Sequence, residues 1–184
     1  MPYEKKKIII LDNSNLAYSG DEINGVTLRG TETSLILLAE QFVKMNIEVN
    51  FCNNILETKI VNGVRYFNKK KIDKSDLYNL AIAVSDANQF DNVSALKKAV
   101  FSNSNQPFEK FLRKKQLIPF LKHKPVLVTL CNYQYHKRSF LTSFHGKKMI
   151  PITVDPKFLN IDIDLKYLPK KKVVYNIRSN RNLD

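Results

Sequence analysis

The stretch best suited to chemistry is Arg29-Gly30-Thr31-Glu32, placed where a polar loop runs into an apolar amphipathic helix. A helix N-terminus presents backbone N–H groups without intrahelical partners at the positive end of the helix dipole, so it attracts anions. Gly30 allows a ligand close to the backbone, and Arg29 adds a forked cationic donor. Such a set would take a phosphate. The competing reading is a plain glycine cap on an ordinary helix. Neither GxxxxGK[ST] nor GxGxxG is present, the loop's glycines being Gly20, Gly25 and Gly30.

Other reactive residue types are scattered. Asp12, Asp86 and Asp155 fall near the ends of expected strands, where an acid serves as often in a cap or turn as in catalysis. Tyr133, Tyr135 and His136 follow another strand, and either line a cleft or pack beneath the next helix. His123, His136 and His145 share no metal-ligand spacing and lie among lysines, so solvated positions are expected. Cys52 and Cys131 form no CxxC and each lies in an apolar run, which reads as buried free thiols in a reducing compartment. HExxH and GxSxG are also missing, and no metal site is expected.

The elements around these residues follow from hydrophobic patterning. Lys7–Leu11 is a short continuous apolar run, as in a strand buried on both faces. The spacing of Leu35, Leu38, Ala39 and Phe42 predicts a helix over Thr31–Met45, with Asn46 as a left-handed cap. Ile47–Cys52 alternates as a second strand, completing a βαβ unit. Asn62-Gly63 between β-prone runs predicts a hairpin. Further strands are expected at Leu80–Val84, Ala99–Phe101, Pro125–Leu130 and Met149–Val154, with helices at Phe108–Arg113 and Tyr135–Phe144. The alternation predicts an α/β, Rossmann-like, doubly wound and mostly parallel sheet over residues 1–167, whose ligands bind at the carboxyl edge. Residues 168–184 read as a basic linker and the truncated start of a second domain.

Composition bounds the partners. Thirty Lys+Arg against 17 Asp+Glu give a formal charge of +13 over 184 residues, in clusters such as Lys69–Lys71, Arg113–Lys115 and Lys170–Lys172. Such a surface suits anionic lipid, polyphosphate or nucleic acid, or else simply solubilises the chain. Nucleic acid is disfavoured: no helix-turn-helix or RNP-like motif is seen, and the basic–aromatic juxtaposition of Tyr66-Phe67 with Lys69–Lys71 reads better as a hairpin end. The N-terminal apolar run is too short for a signal peptide, and no run is long enough for a membrane helix. A cytoplasmic protein is expected, with peripheral attachment to the inner membrane face open to it.

Taken together, the motifs resemble the amino-terminal half of the retaining GT-B glycosyltransferases, the family of glycogen-synthase-like and lipopolysaccharide hexosyltransferases. Arg29-Gly30-Thr31-Glu32 with the following helix and Asn46-Ile-Glu-Val49 looks like the family's Gly-Gly-Thr/Ser-Glu loop, helix and second strand. Asn62-Gly-Val-Arg-Tyr-Phe67, Leu130-Cys-Asn-Tyr-Gln134 and Ile150-Pro-Ile-Thr-Val-Asp-Pro-Lys-Phe158 are similar to later family segments, in order. Lys172 onward looks like the first strand and loop of the donor-binding domain.

The resemblance implies a hexosyltransferase of polysaccharide assembly, using a nucleotide-sugar donor and a glycan or lipid-linked acceptor, with no metal or other cofactor. It places Arg29, Gly30, Thr31 and Glu32 toward the donor diphosphate, and brings Asn103, Tyr133, Thr153 and Asp155 to the cleft. The chain departs from the family where Arg29 replaces a glycine, Asn103 stands where many relatives carry histidine, and Thr153 replaces another glycine. The donor-binding glutamates belong to the second domain, so this polypeptide alone is not expected to transfer sugar efficiently. Two rivals stand beside this reading: a non-catalytic module for nucleotides or anionic glycans, and a basic nucleic-acid-binding domain.

Overall fold

The computed structural model describes residues 5–24, 28–102, 108–130 and 147–149. They build one eight-stranded sheet from β1 (Lys7–Leu11), β2 (Glu48–Asn53), β3 (Lys59–Val61), β4 (Val64–Asn68), β5 (Leu77–Val84), β6 (Ser94–Ser102), β7 (Val126–Thr129) and β8 (Lys147–Met149). Their order across the sheet is β3-β4-β2-β1-β5-β6-β7-β8. Every neighbouring pair is parallel except the β3–β4 hairpin at one edge. Among the described residues three α-helices accompany the sheet: α1 (Gly30–Lys44), α2 (Phe108–Arg113) and α3 (Leu117–His123). The chain is an α/β protein.

The central strand explains itself. β1 is Lys-Ile-Ile-Ile-Leu, and its side chains alternate between two separate cores. Ile8 and Ile10 join Val49, Phe51, Val64 and Tyr66 under α1, whose Leu35, Ile36 and Ala39 are fully buried. Ile9 and Leu11 face the other way, toward Phe90, Phe111 and Phe120 of the 3-10 turn Ala87–Asn92 and of α2 and α3. Both faces of the sheet thus exclude water, which is why the strand carries no polar residue between Lys7 and Asp12.

Several expectations are met and several are shifted. The hairpin forms at Asn62-Gly63, with φ of 49° and 80°. A Cβ on Gly63 would lie 2.6 Å from Val43 Cγ1, so both backbone and packing demand glycine there. Asn46 takes the left-handed cap with φ 60°. Helix α1 starts at Gly30 rather than Thr31, and its buried stripe runs through Ile36, leaving Leu38 and Phe42 only half-buried. β5 and β6 extend further toward their N-termini than the apolar runs alone predict, because parallel pairing from Leu77↔Ser94 onward carries the less apolar ends along. α3 had no counterpart in the sequence reading.

Asn103, Tyr133, Thr153 and Asp155 lie outside the described residues, as do Tyr135, His136, the expected helix over residues 135–144 and the linker at 168–184.

Candidate functional site

The strand order reverses direction at β1. The chain leaves β1 through α1 to β2 and β4 on one side, then returns to β5 on the other side. In open α/β sheets the crevice outside the carboxyl ends at such a reversal receives ligands. A cleft of about 620 Å³ lies there, lined by the segment after β1, the first turn of α1, the end of β5 and the α2–α3 elbow. Of the sequence candidates, Arg29, Thr31 and Glu32 line it. Gly30, the first helical residue, is not among its lining residues, and a Cβ there would meet nothing within 4 Å.

Three carboxyl groups reach this cleft, and their hydrogen bonds separate them. Asp12 is buried at the end of β1, and its Oδ1 accepts from the Ser14 N–H at 3.0 Å. Its Oδ2 accepts from Ser14 Oγ at 2.7 Å and from the Tyr18 hydroxyl at 2.6 Å. Burial, and then the neighbouring Asp12, hold the Tyr18 proton on well above the ordinary tyrosine range. The loop so tied is clamped to the end of β2, since Asn53 donates to the Tyr18 carbonyl at 2.7 Å and Asn54 to that of Ser14 at 2.9 Å. Asp12 therefore staples the loop.

Asp86 has a similar duty. Its Oδ1 accepts from the Asn88 N–H at 2.9 Å, capping the turn after β5, and from Gln116 Nε2 at 2.7 Å. Gln116 is buried, and its Oε1 accepts from the Ala87 N–H at 2.9 Å. One amide thus fixes the α2–α3 elbow to the strand end. Between them Ser85 holds φ 57°, an uncommon backbone for a non-glycine residue, beside the cleft.

Glu32 differs from both. It is only 4% exposed, and its Oε2 has no hydrogen-bond partner among the described residues. A buried acceptor left open costs about 1–3 kcal/mol; Asn50 Oδ1, Tyr66 Oη and Thr129 Oγ1 share this condition, but of the four only Glu32 lines the cleft. Beside it, Arg29 is exposed, its side chain forms no ion pair among the described residues and makes no capping bond to α1, and its carbonyl accepts from the Thr33 N–H at 3.1 Å. Lys114 supplies a second cation from the elbow. The cleft offers positive donors and one open acceptor together, which suits a ligand carrying both phosphate and hydroxyl groups.

No protein-family model, no curated protein and no solved structure matches the chain.

Sequence reasoning found Arg29, Thr31 and Glu32 and raised Asp12 and Asp86, but it missed Asn13, Ser14, Ser85, Lys114 and Gln116. Gln116 carries no motif, and only the elbow's placement reveals it. His123 is corrected: its side chain is 7% exposed rather than solvated. It packs edge-on to Phe90, with Nδ1 3.1 Å from Lys98 Nζ and Nε2 2.9 Å from Asp91 Oδ1. Lys98 can only donate and Asp91 accepts, so Nε2 bears the ring proton. Burial first, and then Lys98, lower the His123 pKa, with Asp91 opposing. Cys52 is buried as expected, and burial pushes its pKa up to about 12, which disfavours the thiolate. Among the described residues no group of three metal-ligating side chains occurs, and no helix is long and apolar enough to cross a membrane.

Proposed function

We propose that this chain is the acceptor-side half of a retaining, nucleotide-sugar-dependent glycosyltransferase with a Rossmann-like, doubly wound sheet. The observation that carries the proposal is the open carboxyl oxygen of buried Glu32 in the same cleft as the unpaired Arg29, at the reversal of strand order. A sugar diphosphate answers both groups. Its phosphates take the guanidinium and the N-terminal end of α1, and a sugar hydroxyl donates to Glu32 Oε2.

Charge that develops on a departing diphosphate would meet Arg29 and Lys114, placed before reaction on a helix start and an elbow that Gln116 holds still. Thr31 lines the same wall. A smaller hollow of about 260 Å³ shares Asn13 and Asp86 with the cleft and runs toward Lys69, offering room for a glycan or lipid-linked acceptor. The nucleic-acid reading loses its one stacking candidate, since Tyr66 and Phe67 are both buried.

The test is turnover by the native protein purified from its source cells, supplied with a panel of nucleotide-sugars and cell lipid extract. Release of nucleoside diphosphate is expected, with Arg29→Ala lowering kcat/KM at least about tenfold, the loss of a charge-assisted contact of roughly 1.5–3 kcal/mol. Neither binding nor release with any donor would overturn the proposal, whereas binding without release would favour the non-catalytic module.

A further inference from the structure

Helix α3 is apolar on the wrong side for a core helix. Its inward residues are Pro119 and Phe120, the latter packed edge-on against Phe111 at 5.2 Å. Outward it shows Ile118 at 73%, Leu121 at 49% and Leu117 at 40%, and Leu112 at the end of α2 adds 42%. In a seven-residue helix, positions 117, 118 and 121 share one side. Scattered exposed aliphatics need no explanation, but three on one side of a seven-residue helix make a patch, with Leu112 exposed on the helix before it.

The charge around this patch is mostly basic, and its nearby acid, Asp91, is engaged by Lys122 and His123. Arg113, Lys114, Lys115 and Lys124 are exposed and form no ion pair among the described residues, while Lys122 pairs with Asp91. The sequence holds no Asp or Glu between Glu109 and Asp155. Exposed aliphatic side chains flanked in the chain by exposed cations match an anionic phospholipid surface, where the chains enter the headgroup boundary and the cations meet phosphates. A second protein chain or a second copy would want acids opposite these cations, and the acid that the patch offers a copy of itself, Asp91, is already engaged by Lys122 and His123.

We infer that the α2–α3 elbow is a membrane-docking surface specific for anionic phospholipid. The same elbow carries Lys114 and Gln116 on the rim of the cleft, so docking brings the cleft to the lipid headgroups. Docking does not depend on the transferase proposal, but if both hold, the acceptor is a lipid-anchored one presented at that surface.

The chain has no tryptophan, so Ile118→Trp supplies a single reporter at the centre of the patch. On vesicles of equal parts phosphatidylcholine and phosphatidylglycerol, its emission should shift to the blue, and on phosphatidylcholine alone it should not. In flotation assays the unsubstituted chain should rise with the anionic vesicles only. The double variant Ile118→Ser with Leu121→Ser should lose at least about tenfold in partitioning, while its melting temperature should fall far less than that of Leu35→Ala, because Ile118 is mostly exposed and Leu121 half-exposed. Equal binding by the double variant, or no binding to anionic vesicles at all, would overturn the inference. So would a native mass that halves on the double substitution, which would assign the patch to a second copy. Failure here leaves donor turnover untouched, so the two proposals fail separately.

Discussion

The two faces of the sheet are covered in different ways. One lies under α1, fifteen residues long, which turns Leu35, Ile36 and Ala39 fully inward. The other lies under a 3-10 turn and two short helices that bury Phe90, Phe111 and Phe120 but leave Leu112, Leu117, Ile118 and Leu121 exposed. A helix that spends its apolar residues on the core is explained by folding. One that shows them to solvent calls for a partner. Both coverings meet at the cleft: α1 contributes Arg29, Thr31 and Glu32, and the elbow contributes Lys114 and Gln116.

The contrast can be broken most strongly on the α1 side. Leu35→Ala should cost about 2–5 kcal/mol in urea unfolding, the range for deleting a buried leucine. Gly63→Ala, with φ 80° and a Cβ that would lie 2.6 Å from Val43, should cost on the order of 1–3 kcal/mol by the same measurement. On the other side, Gln116→Ala removes the amide joining Asp86 and Ala87 to the elbow, and should cost about 1–3 kcal/mol. It should also raise amide exchange over the elbow more than over α1. Ile118→Ser should stay within about 0.5 kcal/mol of the unsubstituted chain. A loss like that of Leu35→Ala would show that the patch is part of the core and erase the contrast.

A subtler probe is pH. The folded His123 pKa lies below its ordinary value, chiefly through burial. Between that lowered value and about 6.5 the unfolded chain binds more protons than the folded one. Stability should therefore rise with pH through this window and fall as the solution is acidified, and His123→Gln should flatten the slope of melting temperature against pH. An unchanged slope in the variant would show that His123 does not titrate as a buried group.

Legibility in the sequence tracks how local each signal is. β1, the hairpin and α1 are written in contiguous patterns: an Ile run, Asn62-Gly63, and an apolar stripe ended by Asn46. The start of α1 is equally local, which is why Arg29, Thr31 and Glu32 could be named in advance. α3 is only seven residues long, too short for a periodic stripe, and tolerates Pro119 because in the first turn its missing N–H has no intrahelical acceptor to lose. Its outward apolar residues also imitate no core stripe. The duties of Asp12 and Asp86 depend on Tyr18 and Gln116, six and thirty residues away, so spacing alone could not separate stapling acids from the open Glu32.

Whether the cleft takes a phosphorylated sugar is best decided by chemical-shift mapping of the 184-residue chain with nucleotide-sugars. The expected outcome is a set of shifts centred on Arg29, Thr31, Glu32 and Ser85 that collapses in Glu32→Gln, whose melting temperature should not fall. Shifts spread over the basic surface and vanishing with salt, or no shifts with any donor, would contradict the assignment of this cleft.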